Sequence, residues 1–131
     1  MDDKFFNVGL GIRRAVMGDS RVDKSLVQAD DFSRPVQELT TSFAWGQVWG
    51  REAELDRRTR SLLTIGMLIA LNRQAELQAH IVGGLRNGLT EADIREVVIH
   101  SVVYCGFPAA LEATRSAQAA LQLAGENESQ P

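Results

Sequence analysis

The sequence predicts an all-α fold, a bundle of about six helices in one domain, and three observations predict it. Apolar residues recur at three- and four-residue intervals through most of the chain. Glycine, asparagine and proline stops separate these periodic runs. No pair of runs alternates apolar with polar residues as two half-buried strands need. With 131 residues, 44% hydrophobic and 24% charged, the composition is that of an ordinary globular chain, and a chain of this length buries about two thirds of the surface its unfolded form exposes. No tandem repeat, low-complexity tract or composition shift marks a second domain. Residues 1–125 therefore read as one domain and 126–131, which lack an apolar anchor, as a flexible tail.

Taken in order, Asp2 or Asp3 caps a first helix through Phe5, Phe6, Val8, Ile12 and Val16, with Gly18 as its C-terminal glycine. Asp19 to Asp31 reads as irregular, packed down by Val22 and Leu26. Ser33 and Pro35 open a second helix in which Val36, Leu39 and Phe43 keep helical spacing towards Trp45 and Trp49. Asp56 caps a third, whose Leu62, Leu63, Ile65, Met67, Leu68, Ile69 and Leu71 leave almost no polar face, so it is expected at the buried centre. A fourth runs from about Gln74 to Arg86 and stops at Asn87-Gly88. Thr90 and Asp93 form a variant capping box for a fifth, with Ile94, Val97, Val98, Ser101, Val102 and Cys105 at helical spacing. The β-branched run Val97 to Tyr104 also suits a buried strand, but the cap and the spacing favour helix. Pro108 starts a sixth, where Ala110, Ala113, Ala117, Leu121 and Ala124 make a small-residue face suited to close helix contact.

Composition and motifs exclude several classes. A net charge of −3 without a Lys/Arg block lacks the clustered basic footprint that phosphate backbones require, so nucleic acid is not an expected partner. The start Met1-Asp2-Asp3-Lys4 lacks the layout of a signal peptide, and the longest apolar stretches fall short of a membrane span; a cytoplasmic location is expected. Cys105 is the single cysteine, which rules out an internal disulfide, a CxxC pair and a thiolate metal cluster within one chain. Two distant histidines make no persuasive metal site.

The strongest chemical candidate is Glu76 with His80. Four residues apart on the fourth helix, they share a face, and a carboxylate beside an imidazole poises a proton donor or acceptor near neutral pH. By spacing alone the pair is more often a surface or structural feature. Arg57, Arg58 and Arg60 fall in the first turn of the third helix, where the helix dipole disfavours cations, so they need anionic partners. Glu52, Glu54 and Asp56 or a neighbouring subunit can supply them, or a substrate carboxylate can. Trp45 and Trp49 flank Gly46 and read as core or subunit contact by default, with a pocket wall as the alternative. His100 reads as a satisfied buried or interface residue, and Cys105, before Gly106-Phe107-Pro108, as a small packed one.

Across nearly its whole length the chain resembles the γ-carboxymuconolactone decarboxylases, also called 4-carboxymuconolactone decarboxylases. The resemblance is carried by Gly9-Leu10-Gly11-Ile12-Arg13-Arg14, Val22-Asp23, Trp45-Gly46-Gln47-Val48-Trp49, Leu55 to Leu62, Glu76-Leu77-Gln78-Ala79-His80, Asn87 to Thr90 and Tyr104 to Ala110. It implies an alkyl hydroperoxidase D-like helical bundle that assembles as a homo-oligomer, a trimer or hexamer, with sites near subunit boundaries. It also implies conversion of 4-carboxymuconolactone to 3-oxoadipate enol-lactone and carbon dioxide, in the protocatechuate branch of aromatic catabolism (the beta-ketoadipate pathway), without a cofactor. In that reaction the released electrons flow through the ring double bond into the lactone carbonyl. The protein holds the carboxylates, stabilises the oxyanion and protonates a ring carbon. The resemblance casts His80 as proton donor or oxyanion partner, Glu76 as its orienting or proton-sharing neighbour, Arg13, Arg58 and Arg60 as carboxylate binders, and Trp45 and Trp49 as substrate contacts.

The sequence departs from the family pattern in two places. The turn Gly50 to Leu55 is longer than expected, and Val82-Gly83-Gly84 follows Ile81 where an arginine and an alanine are usual; adjacent helical glycines suggest close packing or a ligand near the backbone. Two other readings stay open: a peroxide-reducing enzyme of the same superfamily using Cys105 as a lone thiol, and a non-catalytic bundle binding a small molecule or a protein.

Overall fold

A computed structural model describes residues 3–128, and among these there are seven α-helices and no strand. The chain folds as two compact units, Met1–Arg57 and Arg58–Pro131. In the first, α1 (Asp3–Met17) and α2 (Asp19–Val27) lead to α3 (Arg34–Leu39), which continues without a break as a π-helix over Thr40–Val48. The second holds α4 (Arg57–Leu71) from its second residue on, α5 (Gln74–Arg86), α6 (Glu91–Cys105) and α7 (Phe107–Glu128). Asp2, one of the two expected caps, lies outside the described residues, as do 129–131; residues 126–128 of the expected tail continue α7.

The first part of the stretch expected to be irregular, Asp19–Val27, is a helix, and only residues 28–31 are irregular. Gly18, at φ 90, turns the chain, and its carbonyl accepts from the Val22 N–H to start α2. Asp19 in the first turn and Lys24 in the last complement the helix dipole, and Val22 is fully buried. Arg14, in the last turn of α1, reaches Asp23 at 2.6 Å and Asp19 at 3.7 Å and closes the α1–α2 corner.

The second expected helix also changes character. Val36, Leu39 and Phe43 are exposed, and the buried face carries Thr41, Ser42, Trp45, Gly46 and Trp49 instead. The cause is the wider π ladder, in which the Trp49 N–H donates to the Ala44 carbonyl five residues back. It brings every fourth or fifth residue, rather than an alternation of three and four, onto one side. At the junction the hydroxyls of Thr40, Thr41 and Ser42 each donate to the carbonyl four residues back, the kind of back-bonding that bends a helix. Glycines let the π-helix press against α1: a Cβ on Gly9 would collide with the Thr41 carbonyl, and one on Gly46 with the Phe5 carbonyl. Ile12, Val16, Trp45 and Trp49 form the core of this unit.

In the second unit the buried centre is α5, not the helix expected there. Of α4 only the stripe Ser61, Ile65 and Ile69 is fully buried, while Leu63, Met67 and Leu71 are exposed. On α5, Leu77, Ala79, Ile81, Val82, Gly83 and Gly84 are all buried. Of these, Leu77, Ile81 and Val82 pack with Ile65 and Ile69 of α4, Ile94 of α6 and Ala113, Ala117 and Ala120 of α7, part of the small-residue face expected of that last helix. Gly84 has a packing reason, since a Cβ there would lie 2.7 Å from Leu89 Cδ1 and 3.4 Å from Ile65 Cδ1. The capping box forms: the Thr90 hydroxyl accepts from the Asp93 N–H while the Asp93 carboxylate accepts from the Thr90 N–H. The run Val97 to Tyr104 is helical.

Candidate active site

The helix that carries Glu76 and His80 is fixed at both ends. Asn72, at φ 57, makes the left-handed turn out of α4 that asparagine tolerates. Gln74 then accepts from the Ser116 hydroxyl of α7 at 2.5 Å and donates to Asn72 at 2.8 Å. At the other end Asn87 Nδ2 donates to Ser61 Oγ of α4 at 2.9 Å, and Gly88, at φ 96, ends the helix. Between these ties His80 is half-buried with its Nδ1 out of contact with solvent, and Glu76 lies one turn earlier, exposed. Among the described residues the Glu76 side chain makes no hydrogen bond or ion pair, so its carboxylate is a free acceptor one turn from the imidazole. The next position of interest, Val82, is turned into the apolar core. An arginine there would have to leave that core, which is a physical reason for the departure seen in the sequence.

The arginines of the α4 start separate by partner. Arg57 pairs with Glu52, as the acidic turn before it suggests. Arg58 Nη2 instead donates to Asp93 Oδ2 at 2.9 Å, tying the start of α4 to the start of α6. The Asp93 carboxyl is held below the ordinary carboxylate range, first by the Thr90 backbone N–H and then by its hydroxyl and Arg58. Arg58 is thus already compensated, and Arg60 is half-buried beside it.

Trp45 and Trp49 are buried against Ile12 and Val16, their ring centroids 4.8 Å apart and tilted by 35°. Their area goes into the core of the first unit, which is the default role of such a pair. His100 is exposed rather than buried, its ring centroid 4.9 Å from that of Tyr104. Cys105 is half-buried and packs against the core of the second unit, as a small packed residue should. Leu63, Gly66 and Met67 of α4 face Ile99, His100 and Val103 of α6 across an open apolar groove of about 1010 Å³.

Arg13 is the best-defined cation. Only 9% exposed, it donates from Nη1 to Thr41 Oγ1 at 3.0 Å and from Nη2 to Gln37 Oε1 at 2.9 Å. Burial and the nearby charge of Arg21 both lower its pKa. No motif marks Gln37, Thr41 or Arg21. The signal available was the four-residue spacing of Gln37 and Thr41, which puts two polar side chains on one helical face.

Residues 34–119 match the profile of the carboxymuconolactone decarboxylase family. The chain is 46% identical over 110 residues, 84% of its length and 76% of the relative's, to the nitrosuccinic acid decarboxylase of Metarhizium robertsii. It is 38% identical over 117 residues, 89% of its length and 87% of the relative's, to the 4-carboxymuconolactone decarboxylase of Acinetobacter baylyi. A 47-residue stretch, 35% of the chain, is 43% identical to the 4-carboxymuconolactone decarboxylase of Pseudomonas putida and spans 98% of that relative.

Proposed function

We propose, from the premise that the chain belongs to the carboxymuconolactone decarboxylase family and is a decarboxylase, that it removes one carboxylate from 4-carboxymuconolactone or a closely related lactone without a cofactor. The observation that carries the reading is the pair Glu76 and His80 on a helix tied at both ends to its neighbours. Loss of carbon dioxide leaves an electron pair on the former α-carbon, delocalised through the ring double bond onto the lactone carbonyl. His80 delivers the proton that ends the reaction at carbon, or holds the oxyanion; Glu76 orients the imidazole or shares the proton. Arg13, Arg58 and Arg60 are the carboxylate binders of this reading.

A second substrate is favoured by a specific observation, the 46% identity to a protein named for nitrosuccinic acid. Nitrosuccinate bears a nitro group on the carbon that carries one carboxylate, so decarboxylation sends the electrons onto nitro oxygens and again ends with a proton delivered to carbon. The two acids share a leaving carboxylate beside an electron sink and a second carboxylate that stays. One proton donor serves both.

The test is carbon dioxide release from freshly generated 4-carboxymuconolactone and, in parallel, from nitrosuccinate. Turnover of either, falling by about a hundredfold or more in His80→Ala, supports the reading. A folded protein that decarboxylates neither, or a His80→Ala variant with full activity, removes it. Self-assembly belongs to the same proposal. The exposed apolar residues Leu63, Met67, Ile99, Val103 and Tyr104 of the second unit give it a surface to use.

A further inference from the structure

The first unit contains a guanidinium held in place by neutral groups. Arg13 sits one turn after Gly9, where the backbones of α1 and the π-helix come into direct contact. Thr41 donates its hydroxyl proton to the Gln37 carbonyl at 2.8 Å, which turns an oxygen lone pair towards Arg13 Nη1, and the Gln37 amide oxygen takes Nη2. Both acceptors are uncharged, and among the described residues no carboxylate lies within ion-pair distance of Arg13. A buried cation held only by neutral groups is costly unless an anion joins it. Two of the five guanidinium N–H groups are used, leaving donors for such an anion.

A second observation points the same way. Arg21 of α2 lies close enough for its charge to act on Arg13, and it too has no carboxylate partner among the described residues. Arg14, next in sequence to Arg13, takes up both Asp19 and Asp23. Arg21 thus adds a like charge on the α2 side of Arg13 while Asp19 and Asp23 are engaged by Arg14, an arrangement that a bound anion relieves. Thr41 lies in a π-helical segment, a backbone form that is found frequently at functional sites.

We propose that Arg13 and Arg21 form the seat for a carboxylate of a small organic acid, with Gln37 and Thr41 as positioning residues that present the Arg13 fork. The reading of the chain as a decarboxylase bears on this only in naming the acid. The carboxylate comes either from the substrate or from a separate acid that the chain binds without converting it, and the experiment distinguishes the two.

The probe is succinate, which has two carboxylates and no electron sink and is therefore bound without turnover. Calorimetric titration of the full chain should show saturable binding. That binding should weaken about tenfold in Arg21→Ala, whose exposed side chain the fold does not need, and further in Arg13→Gln. Arg13→Lys keeps the charge but loses the fork, and should fall between Arg13→Gln and the wild type. Gln37→Leu, which leaves both arginines present, should weaken binding by releasing the fork. A raised KM with kcat retained in Arg21→Ala identifies the substrate as the source; weakened succinate binding with KM unchanged identifies a separate acid. Both outcomes support the seat. No saturable binding to the wild type, or equal affinity in the wild type and Arg21→Ala, overturns it. Because succinate binding is read without turnover, a chain that decarboxylates neither test acid yet binds succinate through these arginines keeps this inference and loses the other.

Discussion

Asp93 shows how one side chain can serve two elements. Its Oδ2 accepts from the Thr90 N–H and from Arg58, each at 2.9 Å, so it completes the cap of α6 and neutralises an arginine in the unfavourable first turn of α4. These contacts lower its pKa, the Thr90 N–H most of all. The folded state therefore binds the proton less readily than the unfolded state. The stability it contributes is present above the ordinary carboxylate pKa of about 3.9 and is lost as pH falls through the lower folded value. Asp93→Asn should melt below the wild type at neutral pH, and the gap should close as pH drops below about 4. Equal gaps at neutral and acid pH would contradict the assignment. In the core of the second unit, Leu77 is fully buried, and Leu77→Ala should cost about 2–5 kcal/mol in denaturant unfolding.

At the scale of elements, the glycines separate close packing from open face. Gly9→Ala forces a methyl into the Thr41 backbone, which cannot move aside as a side-chain tip can, and should strongly destabilise the first unit. Gly66, in the middle of α4, meets nothing within 4 Å. Gly66→Ala should therefore raise the stability of α4 by up to about 1 kcal/mol through helix propensity alone. Urea unfolding of both variants checks the contrast, and a Gly66→Ala variant destabilised as much as Gly9→Ala would show that the α4 face is not open. Local signals located several elements well. The bounds of α5 follow from Asn87-Gly88, and the start of α6 from Thr90 and Asp93. Less legible were α2, whose burial rests on Val22 and half-buried Leu26, and the π-helix, which is made by three back-bonding hydroxyls and a close approach of α1 that no local pattern announces.

For the molecule as a whole, no described helix is long and apolar enough to cross a membrane. Yet the second unit exposes Leu63, Met67, Ile99, Val103 and Tyr104 around its groove, more apolar surface than a lone soluble chain usually leaves open. If copies of the chain cover it, light scattering behind size exclusion should give a multiple of 14.4 kDa, and Val103→Glu or Met67→Glu should shift the mass towards one chain without unfolding it. A wild type that elutes as a monomer at micromolar concentration would remove self-assembly from the proposal.

Sequence alone determined the all-α class, most helix ends and the family, because periodicity, caps and stops are local and the matching motifs are spread along the chain. It also placed Glu76 and His80 one turn apart on one helix. Which faces are buried was decided only by tertiary structure. The apolar run of α4 is half exposed, α5 holds the centre and Val36, Leu39 and Phe43 face outward, since an apolar residue is buried only where another element comes to cover it. The same reason separates the arginines. Their side chains look alike in the sequence, but Arg58 meets Asp93 while Arg13, among the described residues, hydrogen-bonds Gln37 and Thr41, because the partner of a charge is set by which helices cross beside it.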